Sequence, residues 1–138
     1  MDEYMSRVRI WGLTCLGSPE EVGRARRWTR HMLRAAPCAD DAALIVAELG
    51  ANALLHTDSG DIGGAFHVSL IVSDDTVSIS VTDSGSSKTT PQVEQAGDDD
   101  THGRGLAIVT ALAQLVETRG DQHSHTVTAH LSYGKEDS

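Results

Sequence analysis

The chain has 138 residues, of which 39% are hydrophobic and 22% are charged, an ordinary composition for one globular domain. Its net charge of −9 argues against nucleic acid as the main partner, because phosphate binding needs clustered Lys and Arg, although it permits a basic protein partner. No signal peptide or membrane-spanning apolar run is visible, and Cys15 and Cys38 lack the spacing of metal ligands. We therefore predict a cytoplasmic protein with a single domain over residues 1–138.

The first predicted elements are a strand over residues 8–16 and a basic helix that ends at Pro37. Ser18 has the side chain of a helix cap, Pro19 suits the first helical position, and Glu21 would complete a capping box. The arginines of this helix are Arg24, Arg26, Arg27, Arg30 and Arg34. They predict either a solvated face, which is the more common reason for such a pattern, or a binding surface for a phosphate or an acidic partner.

The central helix carries the most informative pattern of the chain. Asp40 and Asp41 suit its first turn, and residues 42–56 are apolar nearly all round, which is typical of a core helix. Within it, Glu48, Asn52 and His56 recur every four residues and share one face. Because a buried carboxylate needs partners, we expect this face to border a polar cavity or a ligand. The alternative is a solvated polar stripe.

The second half of the chain predicts a hairpin, a long polar segment, a helix and two more strands. A period of two over 66–73 and 77–82 indicates an antiparallel hairpin with one buried face. The polar segment 84–102 is typical of a functional lid or a disordered excursion. A helix is predicted over 107–113, and strands are predicted over 115–118 and 126–131. The histidines His123, His125 and His130 lack a supporting framework of ligands, so we do not predict a zinc site there.

Three motifs, taken together, resemble those of a known superfamily. The first is Glu48-x-x-x-Asn52-Ala53-x-x-His56, which resembles the N box of the ATPases that include gyrase, Hsp90, histidine kinases and MutL.

The other two motifs contain glycine and follow in the same order as in that superfamily. Asp83-x-Gly85 resembles the first glycine box, and Gly103-x-Gly105-Leu106 resembles the second, at a helix entrance where backbone amides can approach an anion. The short, single-domain form is similar to the bacterial anti-sigma factors of the serine-kinase type.

The resemblance implies an α/β fold, with ATP and Mg²⁺ as cofactors. The fold would be a two-layer sandwich in which three helices cover one face of a mixed, mainly antiparallel sheet. Glu48 would act as the general base and Asn52 would ligate Mg²⁺. Asp83 would accept a hydrogen bond from the adenine amino group, with support from Thr126. The full cofactor-binding set implied by the resemblance is Asn52, His56, Asp83, Gly85, Gly103, Arg104, Gly105, Leu106 and Thr126.

The sequence departs from the family pattern at positions that bear on catalysis. Ser87 stands in place of the second glycine of the first glycine box, and Thr101 stands where kinases of this group often have an arginine. Arg104 is a candidate substitute, since Arg suits forked contacts with phosphate. Relatives also tend to have Gly-Lys-Thr where this chain has the segment 124–126.

Two functions therefore stay open. The first is a protein serine/threonine kinase that sequesters a sigma factor and phosphorylates an anti-anti-sigma protein; the presence of Glu48 and Asn52 favours it. The second is a non-enzymatic anti-sigma module, which Ser87 and Thr101 favour. A detached ATPase module of a histidine kinase is less favoured, because no phosphoacceptor helices precede the fold. The expected partners are a sigma factor, an antagonist protein and a second copy of the chain, with no nucleic acid or membrane.

Overall fold

The fold is given by a computed structural model that describes residues 8–56, 64–84, 100–120 and 124–133. In chain order, its elements are β1 (Arg9–Leu16), α1 (Pro19–Met32), α2 (Ala39–His56), β2 (Ala65–Val72), β3 (Thr76–Ser84), α3 (Asp100–Leu112), β4 (Leu115–Gly120) and β5 (Ser124–Ser132). Within these ranges, no helix is both long enough and apolar enough to span a membrane.

The five strands form one sheet in the order β1-β2-β3-β5-β4. Each described pairing is antiparallel. We call the side that carries Phe66, Val68 and Leu70 the inner face; these side chains are buried and belong to one core with residues of the three helices. The predicted two-layer α/β sandwich is thus confirmed, and no parallel pair occurs among the described strands.

The opposite side of the sheet, the outer face, is polar. It carries hydroxyl and imidazole groups that pair across neighbouring strands instead of packing under helices. Thr82 and Thr126 bond through their hydroxyls at 2.8 Å, and Ser80 and Thr128 do so at 2.9 Å. Because side chains alternate between faces along a strand, this polar side is the counterpart of the apolar inner face.

Helix α2 packs its apolar side against the inner face of the sheet. Its buried residues are Ala42, Ala43, Ile45, Val46, Leu49, Gly50 and Ala53. Leu55, however, is 58% exposed, so α2 has one buried side and is not buried all round as its composition suggested. Asp40 and Asp41 lie in its first turn, as predicted. Each large apolar side chain buried in this layer contributes about 1.5–3 kcal/mol to folding.

The beginning and the end of α1 differ from the sequence prediction. Ser18 has an extended backbone and Pro19 opens the helix, but Ser18 makes no side-chain cap hydrogen bond. The Glu21 carboxylate instead accepts a hydrogen bond from the Leu16 N–H at 3.1 Å and pairs with Arg24 at 2.9 Å. The predicted capping box is therefore wrong, because these two donors hold the carboxylate. The helix ends at Met32, before the predicted boundary.

Candidate functional site

Asp83 and His125 form a buried polar pair, the Asp83–His125 pair, at one end of the inner face. Asp83 on β3 lies directly across from His125 on β5. Only 7% of Asp83 and 8% of His125 is exposed, and Nδ1 of His125 lies 3.3 Å from Oδ1 of Asp83. Phe66 lies across from Asp83 on the other side, on β2. The pair is thus a polar group at the margin of an apolar core.

Burial determines the electrostatics of this pair. It raises the pKa of Asp83, because the charged carboxylate loses hydration there. His125 opposes the rise through its charge, its ring hydrogen bond and a backbone hydrogen bond. Carboxyl groups that combine a raised pKa with a specific partner are enriched at functional sites. The Asp83–His125 pair is therefore the strongest candidate site among the described residues.

Gly120 on β4 leaves the space that the His125 ring occupies. Gly120 is paired with His125 in the sheet. A Cβ atom at Gly120 would overlap Cδ2 of His125 and would lie 3.1 Å from its Cγ. The imidazole is therefore held between Asp83 on one side and a residue without a side chain on the other.

The sequence interpretation missed His125 as part of the site, although a signal for it was present. Val127, Ala129 and Leu131 alternate along β5 and pack in the core. Extending the same period of two towards the start of the strand puts His125 on the inner face.

Thr126 lies on the outer face of the sheet. Its hydroxyl bonds to that of Thr82 there, whereas Asp83 points to the inner face, and the support of Thr126 for the adenine pocket stays a prediction. Thr126 lines a shallow concavity of about 280 Å³ together with Arg119, Gly120 and Ser124. Neighbouring residues of a strand point to opposite faces, so a shift of one position exchanges Thr126 for His125.

Glu48 and Asn52 lie on α2, the helix that packs over the sheet. Both residues are half-buried. Neither side chain is hydrogen-bonded to another side chain in the described part of the chain, so both retain polar groups that a ligand can use. His56 is the last residue of α2, and its side chain lies outside the described residues, as do Gly85 and most of the predicted lid.

The second glycine motif lies inside α3 and not before it. The helix begins at Asp100, earlier than the predicted start at residue 107. In an α-helix only the first four N–H groups lack an intrahelical partner. The amides of Gly105 and Leu106 come after these four, so binding a phosphate through them requires a later helix start. Gly103 and Arg104 belong to the same first turns, and their roles stay predictions.

The substitution Gly120→Ala tests the packing around His125. We expect it to lower the free energy of unfolding by about 1–3 kcal/mol, because the added methyl group overlaps a ring held on its other side by Asp83. Chemical denaturation measures this change. Gly23→Ala is the matched control, since a Cβ atom there would meet only the end of the Arg27 side chain, at 3.3 Å. Equal stability of Gly120→Ala and the wild type would contradict the described packing of the ring.

Comparison with known proteins agrees with the geometry. A family model described as "Histidine kinase-like ATPase domain" matches residues 16–131, a range that includes α2, both glycine motifs and the Asp83–His125 pair. The comparison with curated proteins finds no match.

Proposed function

Because this chain belongs to the histidine kinase-like ATPase family, we propose that it is an anti-sigma factor that uses Mg²⁺-ATP to phosphorylate an anti-anti-sigma protein. The family itself implies ATP binding. The observation that carries the proposal is the buried Asp83 near the end of β3, in a sheet that is covered by the helix bearing Glu48 and Asn52.

Asp83 would orient the base of the nucleotide. A buried carboxylate is an acceptor only, so it selects a ligand that offers a hydrogen-bond donor, such as the adenine amino group. A ligand without that donor would bind less well, because it would leave the second oxygen of the buried carboxylate, the one not bonded to His125, without a donor.

The polar groups of α2 would act at the phosphate end. The side-chain oxygen of Asn52 fits the oxygen ligands that Mg²⁺ prefers, and such an ion would neutralise charge on the phosphates. Glu48 lies one helical turn away, on the same side of α2. Its carboxylate would accept the proton of the attacking serine or threonine hydroxyl.

The non-enzymatic alternative has a specific observation in its favour. The amides of Gly105 and Leu106 lie within α3, where they are engaged in the helix instead of facing a phosphate. Together with Ser87 and Thr101, this arrangement favours a module that holds its sigma factor without efficient phosphate transfer.

The exposed arginines of α1 support a protein partner. Arg24 pairs with Glu21 and Arg30 pairs with Asp40 at 3.0 Å, whereas Arg26 and Arg27 are exposed without such a pair among the described residues. In a chain with a net charge of −9, the positive charges of Arg26 and Arg27 fit an acidic surface of the sigma factor or of its antagonist.

Incubation of the purified chain with labelled ATP, Mg²⁺ and candidate antagonist proteins tests the proposal. We expect label on a serine or threonine of one antagonist, and release of the bound sigma factor only by the antagonist that stays unphosphorylated. Inhibition of transcription without any labelled antagonist would instead support the non-enzymatic module.

A further inference from the structure

We propose that His125 is a specificity-determining residue, which recognises the edge of the nucleotide base together with Asp83. The inference rests on the proposed nucleotide binding at Asp83. Its starting point is the juxtaposition of an imidazole and a carboxylate on directly paired positions of β5 and β3, both buried and both on the inner face.

The position of the ring defines which of its atoms can face a ligand. Nδ1 lies 3.3 Å from Oδ1 of Asp83, on the β3 side. Cδ2 lies on the opposite side, against Gly120 of β4. In an imidazole, Nδ1 and Cδ2 flank Cγ, and the remaining atoms, Nε2 and Cε1, form the distal edge. That edge therefore points away from β5, towards the helical layer.

The described neighbours of the pair on the inner face are apolar or have no side chain. On the inner face its neighbours are Phe66 on β2, Gly120 on β4, and Val81 and Val127 one step along β3 and β5. The ionisable residue of α2 over residues 42–55 is Glu48, and the described side chains of α3, residues 106–112, include none. Among the described residues, the ionisable groups that contact each other at this end of the inner face are therefore Asp83 and His125.

A single shared proton sets the hydrogen-bonding character of the pair. When a proton lies between Nδ1 of His125 and Oδ1 of Asp83, it has two possible positions. On Nδ1 it makes the ring an imidazolium, and on Oδ1 it makes Asp83 a neutral acid that donates to Nδ1. In both forms Nε2 carries a hydrogen and donates, while Oδ2 of Asp83 accepts. This donor–acceptor pattern is complementary to adenine, whose amino group donates and whose N1 accepts.

Loss of that proton changes the preferred base. The carboxylate is then charged and accepts from Nδ1–H, so Nε2 becomes an acceptor beside Oδ2. Two acceptors complement guanine, which offers donors at N1 and at its amino group, and they leave N1 of adenine without a donor. The preference for adenine over guanine therefore falls as the pH rises. Burial raises the pKa of Asp83, which favours retention of the proton.

Equilibrium binding of Mg²⁺-ADP and Mg²⁺-GDP at mildly acidic and mildly alkaline pH tests the proposal. Protonation of the phosphates changes both affinities equally, because the two ligands carry the same phosphates. The ratio of the two affinities is therefore independent of it. For the wild-type chain we expect this ratio to fall by at least about fivefold on going to the alkaline pH. In His125→Thr the ratio should not change with pH, because the ring that shares the proton with Asp83 is gone.

Thr128→Val is the matched control, since Thr128 lies on the same strand as His125 but on the outer face, where its hydroxyl bonds to that of Ser80. We expect it to keep the pH-dependent ratio of the wild type. If His125→Thr does not fold, the wild-type ratio and that of Thr128→Val still decide the matter. A pH-independent ratio in the wild type, with both nucleotides bound, would overturn the role of His125 alone. Failure of the folded wild type to bind either nucleotide would overturn the proposed function as well.

Discussion

Replacing Asp83 with Asn should lower the affinity for ATP by about 5–150-fold while leaving the fold intact. The side chain keeps its shape, but its amide nitrogen presents a donor where the adenine amino group also donates. Calorimetric titration with Mg²⁺-ATP measures the loss. Asp41→Asn is the matched control, because it is the same chemical substitution at an exposed position of α2.

The fold should tolerate this change because of how Asp83 titrates. Its pKa in the folded chain is raised, so the stability that its protonated form contributes is present at low pH and is lost as the pH rises through that pKa. A neutral amide removes this loss. We therefore expect Asp83→Asn to melt at no lower temperature than the wild type at neutral pH. Unchanged ATP affinity in a folded Asp83→Asn protein would contradict the role of Asp83 in base binding.

Replacing Glu48 with Gln should slow phosphate transfer to the antagonist by about 10²–10⁴-fold, the usual contribution of a general base. Glutamine keeps the size of the side chain but cannot accept a proton from the attacking hydroxyl. The sigma factor should still bind normally, because its sequestration depends on a protein–protein contact surface and not on a general base. Single-turnover transfer of labelled phosphate measures the rate, and a pull-down measures the sigma complex.

Glu20→Gln is the control for Glu48→Gln, because Glu20 is exposed at the start of α1. We expect its transfer rate to match that of the wild type. Equal rates for Glu48→Gln and the wild type would remove Glu48 from the mechanism. If the wild type transfers no phosphate but still inhibits its sigma factor, Ser87 and Thr101 become the leading reasons for the missing chemistry.

Patterns that repeat over several residues predicted the fold well. Alternation along β2 and β3 predicted the hairpin, because one face of each strand packs in a core. Val77, Ile79 and Val81 are indeed buried. The ordered set of motifs predicted the superfamily, and the match of residues 16–131 to the family model confirms it.

Features that depend on a single position were harder to predict. The capping box failed because the Leu16 N–H, five residues before Glu21, and Arg24, three residues after it, hold the carboxylate. The start of α3 was placed too late, because glycine lowers helix propensity but does not forbid a helix. The position of His125 beside Asp83 was not predicted, because a shift of one residue along a strand exchanges the two faces, and only the pairing with β3 determines the register.

Binding of Mg²⁺-ATP by the wild-type chain is the property on which all these roles depend, and isothermal titration calorimetry measures it directly. We expect saturable binding of one nucleotide per chain, clearly weakened in Asp83→Asn and unchanged in Asp41→Asn. A folded wild-type chain that gives no binding heat with millimolar Mg²⁺-ATP, across several temperatures, would contradict nucleotide binding at Asp83.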